Sequence, residues 1–298
     1  MRNGKRSRFG DASVRVAALL FATGVLLAGT ARVQAGAALA MVTDQVGEAV
    51  IAADGKQSPS EILTELTSGA ELRITAGARL TLVYFASGRE YRYQGPATLR
   101  IEPGAPRLLS GREPTARDLA VVKETGLVSS PARSYGQAAI VLRGAKKHRL
   151  RLLSPRNTKI LERRPMFRWV PLGASIQYRF VLLDAAGRTI LETLVNGTEL
   201  KLPAQVRIQA DTDYSWRVEA RLASGTVYAS SADFTILDDG ARQRVESLRP
   251  AVDAPFAERV VYAAGLERMD LRDAARREWR ALAAQRPQSA GLRALAGK

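Results

Sequence analysis

The chain has 298 residues, of which 45 are Lys or Arg and 29 are Asp or Glu, giving a formal charge of +16 with one histidine and no cysteine. The missing thiol excludes a disulfide framework, a Cys-ligated zinc or iron–sulfur site, a cysteine nucleophile and lipid attachment at cysteine, and one histidine excludes a mostly-His metal site. Hydrophobic content of 46% and charged content of 25% are those of a folded protein, and the length suggests about two domains.

At the start, Arg2, Lys5, Arg6, Arg8 and Arg15 precede an uncharged run over 16–31, with small residues following around Ala35 and Ala40. A basic end, an apolar middle and a small-residue cleavage site are the layout of a secretory signal, and residues 1–40 are expected to be one. Ala38-Leu39-Ala40 is one A-x-A match and Val33-Gln34-Ala35 is a looser one. The apolar run, interrupted by Gly24 and Gly29, falls short of the roughly 20 residues that cross a bilayer. Cleavage is therefore expected over anchoring, with a periplasmic or otherwise extracytoplasmic location. Export permits disulfides without requiring them, so it is compatible with a chain that has no cysteine.

Residues 41–124 read as short strands. Val42 to Ile51 is apolar around Gly47, and Leu63 to Leu72 continues through a turn at Gly69. In Arg79 to Phe85, Leu80, Leu82 and Tyr84 share one strand face; Ala86-Ser87-Gly88 turns the chain toward Tyr91 to Tyr93, Gly95-Pro96 ends that strand, and Thr98 to Ile101 starts another. Such spacing predicts a small antiparallel sandwich or a barrel-like sheet. Tyr84, Phe85, Tyr91 and Tyr93 are expected as core and strand stiffeners rather than a stacking platform, with Arg79, Arg89, Arg92 and Arg100 at solvated strand positions between them. The pattern of Val46-Gly47, Leu72, Arg79-Leu80-Thr81-Leu82, Ser87-Gly88 and Gly95-Pro96-Ala97-Thr98 resembles the extracytoplasmic FecR domain. That resemblance implies a relay from an outer-membrane receptor to a cytoplasmic sigma factor through one membrane span and a helical cytoplasmic domain. Fifteen residues precede the apolar run, and no such cytoplasmic domain is expected here.

Residues 125–150 form a basic linker that leads into the next module. Between Arg133 and Arg164 lie ten basic residues against Glu162 alone, a positive potential able to attract anionic polymers or lipid headgroups, screened by salt over roughly 8 to 10 Å. The candidate binding residues are Arg143, Lys146, Lys147, Arg149 and Arg151. Because Arg149 and Arg151 alternate with Leu150 and Leu152, the same residues also fit an edge strand whose outward charges oppose sheet-to-sheet association. His148 has no second histidine with which to hold a metal.

Over 151–238, Phe167 and Trp169 share a strand face bracketed by Pro165 and Pro171, Tyr178 to Leu183 is a further strand, and Asp184-Ala185-Ala186-Gly187 turns it toward Thr189 to Leu194. Asn196-Gly197 predicts a tight hairpin with positive φ at both residues. Leu200 to Pro203, Tyr214 to Ala220 and Thr226 to Ile236 complete six or seven strands. Asp211 and Asp213 read as a turn before a strand rather than a calcium site. The Pro-x-Phe-x-Trp strand and the later Tyr214-x-Trp216-x-Val218 strand resemble a fibronectin type III or immunoglobulin-like sandwich, a resemblance that implies a spacer or recognition surface.

Over 239–298, Phe256, Val260, Ala263, Leu266 and Met269 recur at helical spacing, as do Leu271, Ala275, Trp279 and Leu282. Asp270 is expected to cap the second helix, Asp273 to sit in its first turn and Pro287 to stop it. With Ala263, Leu266, Ala275, Trp279 and Pro287 at matching offsets, the pair resembles one tetratricopeptide repeat. One copy cannot bury its own stripe, so the hairpin is expected to pack on the neighbouring sandwich or, failing that, on another chain.

The fold expected is mainly β: two small antiparallel modules followed by a short helical tail. No phosphate-cradling loop, dinucleotide fingerprint or nucleophile–base pair stands out. The expected function is that of a non-catalytic exported envelope protein with no cofactor. Its expected partners are another envelope protein or an anionic envelope polymer, with peripheral membrane contact and no nucleic acid. The alternatives are a membrane-tethered FecR-like component sensing envelope state, or a glycan-processing enzyme using scattered carboxylates.

Overall fold

The computed structural model describes residues 37–53, 55–119, 122 and 150–297. By internal contacts the chain divides into Met1–Ala35 and Gly36–Lys298, and everything described below belongs to the second unit. The residues over 123–149 lie outside the described ones, and so do the expectations made for them.

The first module has ten strands: β1 (Ala38–Val46), β2 (Ala49–Ala53), β3 (Lys56–Pro59), β4 (Glu65–Thr67), β5 (Glu71–Ile74), β6 (Arg79–Tyr84), β7 (Arg89–Gln94), β8 (Ala97–Ile101), β9 (Pro106–Ser110) and β10 (Thr115–Asp118). They form two five-stranded antiparallel sheets, in the orders β10-β7-β6-β1-β4 and β3-β2-β5-β8-β9. Leu80, Leu82, Tyr84, Tyr91 and Tyr93 from one sheet meet Leu72, Ile74, Leu99 and Ile101 from the other in a single core. Each sheet keeps two edge strands, so the module is a sandwich and the barrel-like alternative is not realised. The glycine ending β7 is needed for space: a Cβ at Gly95 would lie 1.9 Å from the Thr75 carbonyl oxygen.

Alternation alone does not describe β6. Leu80, Leu82 and Tyr84 enter the sandwich core as expected, but Thr81 and Val83 are also buried. A strand covered on both faces loses its polar stripe, and what covers the outer face here is the far end of the chain.

The second module contains β11 (Leu152–Ser154), β12 (Thr158–Ile160), β13 (Met166–Trp169), β14 (Tyr178–Asp184), β15 (Thr189–Val195), β16 (Glu199–Lys201), β17 (Asp213–Arg221) and β18 (Val227–Ile236). A three-stranded sheet, β11-β13-β16, faces a five-stranded one, β12-β18-β17-β14-β15; β12 pairs with β18 in parallel and the remaining pairs are antiparallel. Phe167, Trp169, Phe180, Trp216 and Phe234 fill the space between them, with Phe167 5.1 Å from Trp216 and 4.8 Å from Phe180 between ring centroids. The Asp184 turn behaves as expected: its carboxylate accepts the Ala186 and Arg188 amides, and Gly187 adopts φ 76°. Asn196-Gly197 does not. β15 pairs with β14, whereas β16 pairs with β13 in the opposite sheet, so the dipeptide carries the chain between sheets, and neither residue has positive φ among the backbone exceptions. A local turn signal is overridden here by where the next strand finds its partner.

Four helices follow: α1 (Asp239–Ser247), α2 (Phe256–Arg268), α3 (Arg272–Gln285) and α4 (Ala290–Gly297). The expected pair corresponds to α2 and α3, and α1 and α4 flank it. Asp238 caps α1 by accepting the Ala241 amide at 2.8 Å. Asp270 does not cap α3: it lies at φ 59°, Leu271 occupies the cap position, and the first-turn amide of Asp273 donates instead to Thr158 Oγ1 of β12 at 3.4 Å.

The helices do not use the neighbouring sandwich as their main support. Val260, Val261, Leu266, Trp279, Leu282, Leu292 and Leu295 share one core with Met41 and Val83 on the outer face of the first module, with Ile62 and Leu63 from its β3–β4 loop, and with Leu119 and Val122. The reason lies in the surfaces on offer. The outer face of the second module's large sheet is crossed by Arg179–Glu192, Arg179–Glu219 and Arg217–Glu219 ion pairs, whereas the outer face of β1 and β6 presents apolar side chains. Polar contacts then fasten the helices to the second module: the Asp270 carbonyl accepts from the Lys159 amide at 2.8 Å and from Thr158 Oγ1 at 3.0 Å, and Ser154 Oγ donates to Asp273 at 2.8 Å. Arg277–Glu162 and Arg163–Asp239 pairs add to the seam. The tail thus clasps both modules.

Candidate functional site

On the outer face of the first module, the pairing of β1, β6 and β7 sets two adjacent rows. Asp44 lies opposite Thr81 and Thr81 opposite Arg92; one step along, Val46 lies opposite Arg79 and Arg79 opposite Gln94. The helices cover most of this face but stop short of its end. A cavity of about 250 Å³ remains there, with Asp44, Val46, Arg79, Thr81, Arg92 and Tyr93 below, and Pro255, Phe256, Ala257 and Arg286 from the helices above.

Each charged group has a distinct environment. Arg286, at the end of α3, donates to both carboxylate oxygens of Asp44 at 3.2 and 3.3 Å and lies 4.4 Å from the Phe256 ring centroid. Its fork geometry is consumed in pinning α3 to β1. Arg92 gives only its Nε to Glu90, at 2.6 Å. Glu90 is fully buried and also accepts two bonds from Arg117, at 2.8 and 3.1 Å, while Arg117 reaches Glu258 on α2 at 3.3 Å. The hydrogen bond to Glu90 raises the Arg117 guanidinium above its ordinary pKa. Arg79 is exposed and has no ion-pair or hydrogen-bond partner among the described residues. Of the charged groups lining the cavity, Arg286 is paired with Asp44 and Arg92 belongs to the Glu90–Arg117–Glu258 network behind it, so among the described residues the surplus charge is that of Arg79.

Val46 also borders a second hollow of about 200 Å³, formed with Gln45, Gly47, Ser60, Glu61, Ile62, Gln288 and Ser289. Both recesses lie on the seam between the first module and the helices.

Of the sequence-derived binding residues, Arg143, Lys146, Lys147 and Arg149 lie outside the described residues. Arg151 is exposed beside β11, an edge strand, and its carbonyl accepts the Val170 amide at 2.9 Å. Farther along the same basic stretch, Arg163 is engaged with Asp239 on α1, and Arg164 donates to the Leu202 carbonyl. Tyr84, Tyr91 and Tyr93 are buried in the first core, with Tyr84 and Tyr91 edge to face at 5.6 Å, so they offer no stacking surface. Burial pushes the Tyr84 hydroxyl up to about 12. Of the four interleaved arginines, Arg89, Arg92 and Arg100 are ion-paired with Asp118, Glu90 and Glu71, which leaves Arg79. Asp213 accepts from Thr235 Oγ1 at 2.5 Å, and Asp211 holds a turn at φ 52°. Asp44 and Arg286 were invisible as a pair: 242 positions separate them, and no motif joins a β-strand carboxylate to an arginine preceding a helix-stopping proline.

Among the described residues no three His, Cys, Asp or Glu side chains group to hold a metal ion, and no helix is long and apolar enough to cross a membrane.

Fold and cavity together define a mainly β protein, two sandwiches clasped by a helical tail around a cationic recess. No protein-family model and no curated protein matches the chain. Among solved structures, it is similar to CopC from Methylosinus trichosporium OB3b, at 14% identity and a TM-score of 0.23, over 30% of this chain and 93% of that one. It is also similar to a two-domain fibronectin type III segment from chicken tenascin, at 13% identity and a TM-score of 0.22, over 67% of this chain and 94% of that one.

Proposed function

We propose that this is a non-catalytic exported protein of the bacterial cell envelope, FecR-like in its first module and fibronectin-like in its second, that binds another envelope protein or an anionic envelope component. The observation that carries this reading is the cationic recess itself, whose surplus arginine stands on a frame made rigid by helices docked on two sandwiches. A preorganised frame lowers the ordering cost of binding, and the basic stretch before the second module would add long-range attraction for an anionic partner. Crosslinking followed by pull-down of the whole protein from intact envelopes tests this. A specific envelope protein or anionic polymer, recovered from the extracytoplasmic fraction, is the expected result. Residence of the full-length chain in the cytosol, or turnover of cell-wall substrates by the pure protein, contradicts it.

Export carries its own expectation. Strand β1 starts at Ala38, and Ala38 and Ala40 pair with Thr67 and Leu66 while Ala40 also faces Tyr84. Cutting after Ala40 would strip three residues from a strand that lies inside its sheet, whereas cutting after Ala35 leaves the strand whole. Intact-mass measurement of the exported protein is therefore expected to place its first residue at Gly36. A mature chain beginning at Met41 would show that the looser cleavage match is not the one used.

A further inference from the structure

We infer that the recess between β1, β6, β7 and the start of α2 is a binding site for a small carboxylic acid with an apolar body, gripped by Arg79 and the open side of Arg92. This rests on the reading of the chain as a binding protein and names a ligand class for one of its sites.

The charge count sets the head group. Asp44 neutralises Arg286 through two oxygens, and Glu90 with Glu258 neutralises Arg92 and Arg117. One positive charge is left over, so the complementary ligand carries one negative charge, as a carboxylate does at neutral pH. A phosphate monoester would bring a charge of about −1.5 to −2 beside Asp44 and Glu90.

Geometry supplies the grip. Arg79 and Arg92 lie on adjacent strands one residue pair apart, since Thr81 faces Arg92 and Arg79 faces Gln94. Such diagonal neighbours are about 7–8 Å apart, within reach of long side chains. Arg92 commits its Nε to Glu90, and among the described residues neither its terminal nitrogens nor the Arg79 guanidinium has a partner. Two forks facing one recess match the two oxygens of a carboxylate.

The remaining lining sets the body. Val46, Phe256, Pro255 and Ala257 give the recess an apolar wall, and Val46 is 40% exposed. At about 250 Å³ the space is below the usual range of roughly 300–1,000 Å³ for drug-sized ligands. With about 30 Å³ for each water of liquid volume, it holds an acid on the order of eight to ten non-hydrogen atoms, such as hexanoate or benzoate.

Calorimetric titration of the purified full chain with benzoate and with hexanoate tests the site, with methyl benzoate and inorganic phosphate as controls. Saturable binding of both acids at one site is expected, weakened at least tenfold in Arg79→Gln and in Val46→Asp, absent for methyl benzoate and weakened by added salt. Both variants change exposed residues, so their melting temperatures should stay near that of the parent. Three results overturn the inference: no saturable binding of either acid, binding unchanged in both variants, or phosphate binding as tightly as benzoate through Arg79. If the acids fail while envelope capture succeeds, only the ligand assignment falls; if capture fails while the acids bind, the wider functional reading falls and the site stands.

Discussion

A chain ending at Asp239 is expected to keep most of its β structure and lose its monodispersity. The helices removed by that truncation cover Met41, Ile62, Leu63, Val83, Leu119 and Val122, all less than 9% exposed in the intact protein. Full burial of such a side chain contributes about 1.5–3 kcal/mol, so six of them represent on the order of 10 kcal/mol of apolar contact, comparable with the whole stability of a domain at about 5–15 kcal/mol. None of the six belongs to the core between the two sheets of the first module, which is built from a separate set including Leu72, Leu80, Leu82, Tyr84 and Leu99. The sandwich therefore retains its own reason to fold, and the loss appears as an uncovered apolar face. A contiguous patch of that kind marks an association surface or an aggregation liability. Light scattering after size exclusion should show multimers for the truncated chain at concentrations where the intact chain is a single species, while far-UV circular dichroism keeps its strand signal. A truncated chain with the size distribution of the parent would mean that this face does not need the helices.

The sequence made the strands legible and left the docking hidden. Leu80, Leu82 and Tyr84, or Tyr214, Trp216 and Val218, declare a buried face because alternation is a property of neighbouring residues. The same holds for the stripe on α3, where Ala275, Trp279 and Leu282 follow helical spacing and are buried. Where that stripe goes is not local. It depends on the outer face of β1 and β6, more than 170 residues earlier, and the only trace there is that β6 is buried on both faces at Thr81 and Val83, a pattern that in sequence looks like an ordinary apolar run. Asn196-Gly197 illustrates the reverse error, a strong local signal whose strands belong to different sheets. The recess was illegible for a related reason. Arg79 and Arg92 alternate with core residues as any solvated strand position does, and they become a site only once Phe256 and Arg286 are laid over them.

The two buried tryptophans distinguish what packing contributes from what hydrogen bonding contributes. Trp216 and Trp279 are both 0% exposed, one in the second sandwich and one in the helical core. Replacing either by alanine is expected to cost about 3–5 kcal/mol, since a large ring is lost and the surrounding structure relaxes only partly. Phenylalanine separates them. Trp216 Nε1 donates to the Pro155 carbonyl at 2.7 Å in a buried contact, whereas Trp279 Nε1 has no hydrogen-bond partner among the described residues. Trp216→Phe therefore removes ring area and also strands a buried acceptor, a penalty of about 1–3 kcal/mol. Trp279→Phe removes similar ring area while deleting a donor that was already unsatisfied. In urea unfolding, Trp216→Phe should thus be the more destabilising of the two by about 1–3 kcal/mol, although the alanine variants fall close together. Equal losses for the two phenylalanine variants would mean that the Pro155 carbonyl finds another donor, and that the tie between the β11–β12 segment and β17 rests on packing alone.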